Sequence, residues 1–247
     1  MKTQQMLSYL RRCTSYYKMI KDGDKIAVGI SGGKDSLTLL KLLSEFQKFS
    51  PEKFELCGVA VDLQFDKKPT DYSKIEEFCS TIGVPFYIVR TDIGEIIFEV
   101  RKESSPCSLC AKMRKGALYD KVSELGFNKI ALGHHKDDLI ETMFLSLFYE
   151  GRLSTFAPKS YLSKTGLTLI RPLLFTSECD ILSYAKDFPV AKSKCPADKN
   201  TKREYVKGLL NSVSKEVAPV REMVFNALTH PDRYNLFDKF EKDIDEF

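Results

Sequence analysis

The chain has 247 residues, with 38 Lys+Arg against 34 Asp+Glu and a formal net charge of +4. Its 43% hydrophobic and 29% charged content is that of a folded protein, and the length suits one large α/β domain with a small appendage. No run approaches the roughly 18 apolar residues of a membrane span, and Arg11, Arg12 and Lys18 interrupt the first segment where a secretion signal needs its apolar core, so the chain reads as cytosolic, with no membrane partner.

In chain order, residues 3–20 form a basic amphipathic helix. Lys25–Ile30 is a short apolar strand, followed by Ser31-Gly32-Gly33-Lys34-Asp35-Ser36 and a helical pattern to about Phe46. Phe54–Leu63 is a second strand, and a helix near Asp71–Ile82 leads to a third at Pro85–Arg90. After Cys107 and Cys110 a helix runs to about Leu125, then a fourth strand at Lys129–Gly133 and an apolar helix at Asp138–Tyr149. Strands alternating with helices predict an α/β fold, a parallel sheet with helices on both faces, with ligands at the carboxyl ends of the strands. Past residue 151 the pattern is less regular. Thr168–Ile170 reads as a further strand before Arg171-Pro172-Leu173, with helices over Glu178–Lys186, Lys202–Ser214 and Pro219–Leu228. The expected organisation is a basic N-terminal helix (1–22), a central α/β domain (23–175) and a helical C-terminal part (176–247).

The glycine turn between the first strand and its helix is the strongest local signal. Glycines let the backbone turn sharply towards an anion, and the helix N-terminus adds free N–H groups and the positive end of its dipole. Lys34 contributes a mobile charge, and Ser31 and Ser36 contribute hydroxyls. It is neither the Walker loop nor the dinucleotide fingerprint G-x-G-x-x-G. Ser-Gly-Gly-Lys-Asp-Ser resembles the pyrophosphate-loop signature of the N-type ATP pyrophosphatases, which split ATP between its α and β phosphates to activate an oxygen as an adenylate. The resemblance implies an ATP site built from Ser31, Gly32, Gly33, Lys34 and Ser36, with main-chain contacts from Val61 and Asp62, at the end of the second strand, to adenine. It also makes the central domain a PP-loop ATP pyrophosphatase domain.

Gly133-His134-His135-Lys136-Asp137-Asp138 follows the fourth strand. Helical spacing places Glu141 beside Asp137 and Asp138, and carboxylates clustered near phosphates are natural Mg²⁺ ligands. A capping Asp with a capping-box Glu explains the same residues equally well. The segment is similar to the Gly-His-x-x-Asp-Asp of the RNA-modifying branch of the ATP family. That likeness adds Gly133 and His134 to the ATP site, makes Asp137, Asp138 and Glu141 the Mg²⁺ set, and makes Lys34, Asp35 and Asp137 catalytic.

Seven cysteines in a reducing compartment argue against structural disulfides. Cys57 and Cys79 sit in apolar patterns and read as buried hydrophobes. Cys107 and Cys110 form a C-x-x-C pair, which suits zinc, iron–sulfur iron, a redox dithiol or two helix-start residues without a role. Cys195 stands in a charged run, Lys192-Ser-Lys-Cys-Pro-Ala-Asp198, where core packing explains it poorly. The ordered set of glycine loop, Cys-Ser-Leu-Cys followed by Arg and Gly, Gly-His-His-Lys-Asp-Asp, Arg-Pro-Leu and a late cysteine resembles the tRNA 2-thiocytidine synthetases, from about residue 5 to about 215. By that resemblance Cys107, Cys110 and Cys195 hold a [4Fe–4S] cluster. Asp198 replaces the last cysteine of the usual second C-x-x-C.

Residues 1–21 carry five basic and no acidic side chains, and nine basic residues face four acidic ones between 186 and 221. Such patches attract phosphate backbones, although solvated helix faces look alike. Lys192, Lys194, Lys199, Lys202 and Arg203 are the candidate RNA contacts. The implied activity is an ATP-dependent tRNA sulfurtransferase that adenylates a pyrimidine C2 oxygen, that of an anticodon-loop cytidine, and replaces it with sulfur. Its cofactors would be ATP, Mg²⁺ and the [4Fe–4S] cluster. Its partners would be tRNA, a sulfur donor (a cysteine desulfurase or sulfide) and, as an open alternative, a second copy forming a homodimer. Two alternative readings are a lysidine-type ligase or amidotransferase relative and a zinc-stabilised RNA-binding module.

Overall fold

The computed structural model describes residues 2–65, 68–101, 106–191, 195 and 202–234. Near its start, α1 (Thr3–Tyr16) buries Met6, Leu10 and Cys13, the spacing of one helical face. β1 (Asp24–Ile30) is buried nearly throughout, as a central parallel strand must be. It feeds α2 (Lys34–Gln47), then β2 (Phe54–Asp62), α3 (Ser73–Thr81) and β3 (Phe86–Arg90). A short turn of helix, α4 (Ile93–Glu95), and a π-helical turn (Ile96–Val100) precede α5 (Pro106–Glu124) and β4 (Lys129–Ala131). The remaining elements are α6 (Lys136–Glu150), β5 (Lys159–Leu162), β6 (Leu167–Ile170), α7 (Glu178–Tyr184), α8 (Lys202–Glu216) and α9 (Val220–Thr229).

Among the described residues the strands make one six-stranded sheet in the order β3-β2-β1-β4-β6-β5. The pairs among β1, β2, β3, β4 and β6 are parallel, and β5 is an antiparallel edge strand on β6. The expected parallel sheet is therefore extended by a hairpin whose turn uses Gly166 at φ 72°. Helices cover both faces. Ala27, Cys57, Val59 and Ile130 pack against Leu118 and Val122 of α5. Gly58, one residue along β2 and so on the opposite face, approaches Leu40 of α2. The strand order reverses at β1, between β2 and β4, so the crevice opens beyond the carboxyl ends of β1 and β4.

The chain divides into two compact units, one of residues 1–136 and 157–199, the other of 137–156 and 200–247. The first carries the whole sheet. In the second, Ile140 of α6 packs with Val206 and Leu210 of α8 and is flanked by Val224, Phe225 and Leu228 of α9. The segment expected as one C-terminal part, 176–247, is thus divided between the two units.

At the amino ends of β1 and β4 lies a buried ion pair. Lys129 pairs with Asp24 and also donates to the Met19 carbonyl at 2.7 Å. Asp24 further accepts from Lys21 N at 2.6 Å and from Asn128 Nδ2 at 3.1 Å. Removing one partner strands a buried charge, so Asp24→Leu is expected to lower stability by about 3–5 kcal/mol. A shift of the urea midpoint at constant slope checks this.

Candidate functional site

The turn after β1 is organised by its own serines. Ser36 Oγ donates to the Gly33 carbonyl at 2.9 Å and accepts from Ser31 N at 3.2 Å, while Ser31 Oγ accepts from Gly33 N at 3.3 Å. Gly32 takes φ 85°, a conformation closed to most side chains. No side chain caps the N-terminus of α2, so its first-turn N–H groups face the crevice as an anion cradle. Lys34 lies between Asp35 (3.2 Å) and Glu178 (3.5 Å), and His135 Nε2 stands 3.9 Å from Asp35. Gly133 comes so close to this turn that a Cβ would lie 2.9 Å from the Asp35 carbonyl carbon and 3.0 Å from Ser36 N. The structure therefore brings Ser31–Ser36 together with the Gly133-His134-His135 segment that follows β4.

Next to the loop is a cavity of about 110 Å³. Its walls are Gly29, Ile30 and Ser31 of β1 and its turn, Val59 and Val61 of β2, Leu132 beyond β4, and Leu118 and Arg114 of α5. An apolar slot at strand ends, beside a phosphate cradle, suits a flat heterocycle. The side chain of Asp62 has a structural task of its own. Its buried carboxylate accepts from Gln64 N, Thr70 N and Thr70 Oγ1 at 3.2, 3.0 and 2.9 Å and so folds the loop beyond β2.

Arg114 was quoted in the sequence motif without a role. Cys110, Arg114 and Leu118 are four residues apart, which puts a thiol, a guanidinium and a cavity wall along one face of α5. Cys107, exposed, and Cys110, partly buried, occupy the first turn of that helix. Cys110 packs beside the Leu63, Ile93 and Ile97 cluster. Burial pushes its thiol up, Arg114 pulls it down, and Cys195 and Cys107 push it up again. Two further cysteines are therefore within electrostatic reach of Cys110. Four residues before Cys195, the Ala191 N–H donates to the Gly32 carbonyl at 2.9 Å, and the Ala191 Cβ lies 3.1 Å from where a Gly32 Cβ would stand. The sulfurs are gathered rather than closed into a centre: among the described residues no three His, Cys, Asp or Glu side chains stand ready to hold a metal ion. Cys13 and Cys57, pushed up to about 12 by burial, and Cys79, at about 11, are inert packing residues.

In the second unit the three carboxylates expected to bind Mg²⁺ carry arginines instead. Arg221 bonds Asp137 at 2.7 Å, and Arg203 meets Glu141 at 3.1 Å and Asp138 at 3.6 Å. Burial pushes the Glu141 carboxyl up, and Arg203 pulls it back. As arranged, this set is an ion-pair network that joins α6 to α8 and α9 and does not fit a bare cation site. Arg203 is thus engaged inside the unit, and Lys202 lies 4.3 Å from the centre of the Tyr149 ring. The other expected RNA contacts, Lys192, Lys194 and Lys199, and the variant position Asp198, lie outside the described residues. Among the described residues no helix is long and apolar enough to cross a membrane.

Comparison with known proteins places these features in context. A PP-loop domain family model matches residues 5–215. The tRNA-cytidine(32) 2-sulfurtransferase of Bordetella avium is 39% identical over 92% of this chain and 73% of the relative. The enzyme of the same name from Pelobacter propionicus is 38% identical over 90% of this chain and 84% of its own length. Among solved structures, the U34-tRNA thiolase NcsA of Methanococcus maripaludis, with its [4Fe–4S] cluster, superposes with a TM-score of 0.76 at 22% identity. It covers 94% of this chain and 79% of that one, a likeness of fold.

Proposed function

The chain belongs to the PP-loop family, in the branch of the tRNA 2-sulfurtransferases, and from that premise we propose that it thiolates C2 of an anticodon-loop cytidine in tRNA at the expense of ATP. The observation that carries this reading is the hydrogen bond from Ala191 N to the Gly32 carbonyl, which fixes a residue four positions before Cys195 on the phosphate turn. One unit then holds both an anion cradle and three thiols.

A pyrimidine C2 oxygen cannot leave as oxide. It first attacks the α-phosphorus of ATP and expels pyrophosphate, and the resulting adenylate leaves as AMP when sulfur attacks C2. The N–H groups of the first turn of α2, with Ser31, Gly32 and Gly33, hold the pyrophosphate oxygens as charge develops. Lys34, released from Glu178, neutralises that charge. Ile30, Val59, Val61 and Leu132 enclose the base of ATP, and Arg114 sits between it and the thiols. Gly133 lets the His134-His135 segment lie against the turn, which places His135 Nε2 3.9 Å from Asp35.

Cys107, Cys110 and Cys195 are the residues that would hold an iron–sulfur cluster, and their donor chemistry fits it: three free cysteines, whose soft sulfur suits iron. With three protein ligands, a four-iron cluster would keep one iron open to hold sulfide-level sulfur as the nucleophile. Free sulfide would supply that sulfur directly, and a cysteine desulfurase would supply it together with a two-electron thiol reductant. Mass spectrometry of tRNA nucleosides from cells with and without the gene tests the whole reading. Loss of 2-thiocytidine is the expected result, and an unchanged nucleoside profile removes tRNA thiolation.

A further inference from the structure

A groove away from the crevice plays no part in this chemistry. Gln4, Leu7, Ser8 and Arg11 follow one face of α1, at the spacing of successive helical turns, and with Phe49 they line a cavity of about 360 Å³. Phe49 lies just beyond the end of α2. Its ring meets that of Phe46 edge-on, with centroids 5.4 Å apart, yet the residue is 53% exposed. An aromatic residue is thus fixed on the core and left open to solvent. Its neighbours are a carboxamide and a hydroxyl, which donate and accept, and a guanidinium, which only donates.

The charge around the groove is one-sided. Residues 1–21 hold no acidic side chain. Glu45, in the last turn of α2, is neutralised by Lys41 at 2.8 Å and Lys48 at 2.9 Å, and burial raises its carboxyl less than these two lower it. An apolar floor with an open aromatic ring, polar groups able to read a base edge and a cation for phosphate is the chemistry that receives an unpaired nucleotide.

We infer that the groove between α1 and Phe49 is a subsite for an unpaired nucleotide of the tRNA substrate. This rests on the tRNA reading above and deepens it. The nucleotide stacks on Phe49, Gln4 and Ser8 bond its base edge, and Arg11 meets its phosphate. It is not the reacting base, because α2 separates Phe49 from the glycine turn by about 20 Å at the rise of an α-helix.

The test measures binding of an unmodified tRNA transcript to the full chain by filter retention across a salt series. Phe49→Ala is expected to raise Kd about tenfold, and Phe49→Tyr to restore it, since stacking needs only the ring. Arg11→Gln is expected to lower the salt slope by about one. Should Phe49→Ala fail a melting check, the Arg11→Gln slope decides alone. Binding within twofold of the parent, with an unchanged slope, overturns the subsite. So does normal tRNA binding combined with loss of sulfur delivery by a donor protein, which would assign the groove to that donor. If the parent chain itself shows no salt-dependent affinity for tRNA, the proposed function fails first and takes the subsite with it.

Discussion

Replacing Cys107, Cys110 or Cys195 singly by alanine is expected to bring tRNA thiolation down to background while leaving ATP binding within about twofold. The three residues differ in surroundings, which makes the result diagnostic. Cys107 is exposed on the first turn of α5, so its loss shifts stability by no more than about 0.5 kcal/mol. Cys110 borders an apolar cluster, and Cys195 is partly buried. A merely structural set would lose activity in proportion to burial, with Cys107 tolerated. A shared inorganic centre loses it at all three. Anaerobically purified parent protein should absorb broadly near about 400 nm, and each variant should lose that band. Cys79→Ala is the control, because Cys79 is buried at the α3 packing surface and its thiol, at about 11, takes no part in ligation. A colourless parent protein containing zinc, or a fully active Cys195→Ala variant, would remove the three-thiolate centre.

The difference between what the sequence made legible and what it concealed follows physical lines. The glycine turn was legible because Ser31–Ser36 must satisfy a local backbone geometry, a strand end and a helix start, and local rules govern it. The central strands were legible for the same reason, since β1 and β2 are apolar along nearly their whole length. β5 was not. Lys159-Ser-Tyr-Leu162 is a short, half-exposed edge strand whose pairing comes from its neighbour rather than from its own pattern. The turn beyond it, ending in Gly166, was the available signal. The work of the Asp62 side chain was hidden by a similar limit. Its partner Thr70 is eight residues away across a loop, and no periodicity reveals such a bond. The carboxylates 137, 138 and 141 show the limit most clearly. Their spacing on one helix was correct, but spacing along a helix cannot announce Arg203 and Arg221, which arrive from α8 and α9. Arg114 follows the cysteine pair in the sequence, and only the cavity at the strand ends shows what it faces.

Gly133→Ala should be the most damaging single-atom-group change in the nucleotide site. A Cβ at this position would lie 2.9 Å from Asp35 C, 3.0 Å from Asp35 O and 3.0 Å from Ser36 N. All three are backbone atoms of the helix start that cradles the anion, so no flexible side-chain end can move aside. Either the segment after β4 retreats or the first turn of α2 shifts, and in both cases the N–H groups lose their alignment with the pyrophosphate. A displacement near 1 Å at such a site lowers turnover by about a hundredfold. The overpacking itself costs about 1–3 kcal/mol of stability. Pyrophosphate release in the presence of tRNA measures the first effect, and thermal unfolding measures the second. Gly208→Ala, in the interior of α8 with open space around its Cβ site, supplies the contrast. It removes a helix-interior glycine and is expected to stabilise by about 0.5–1 kcal/mol. If Gly133→Ala turns over ATP as the parent does, the close approach of the post-β4 segment is not what shapes the phosphate cradle.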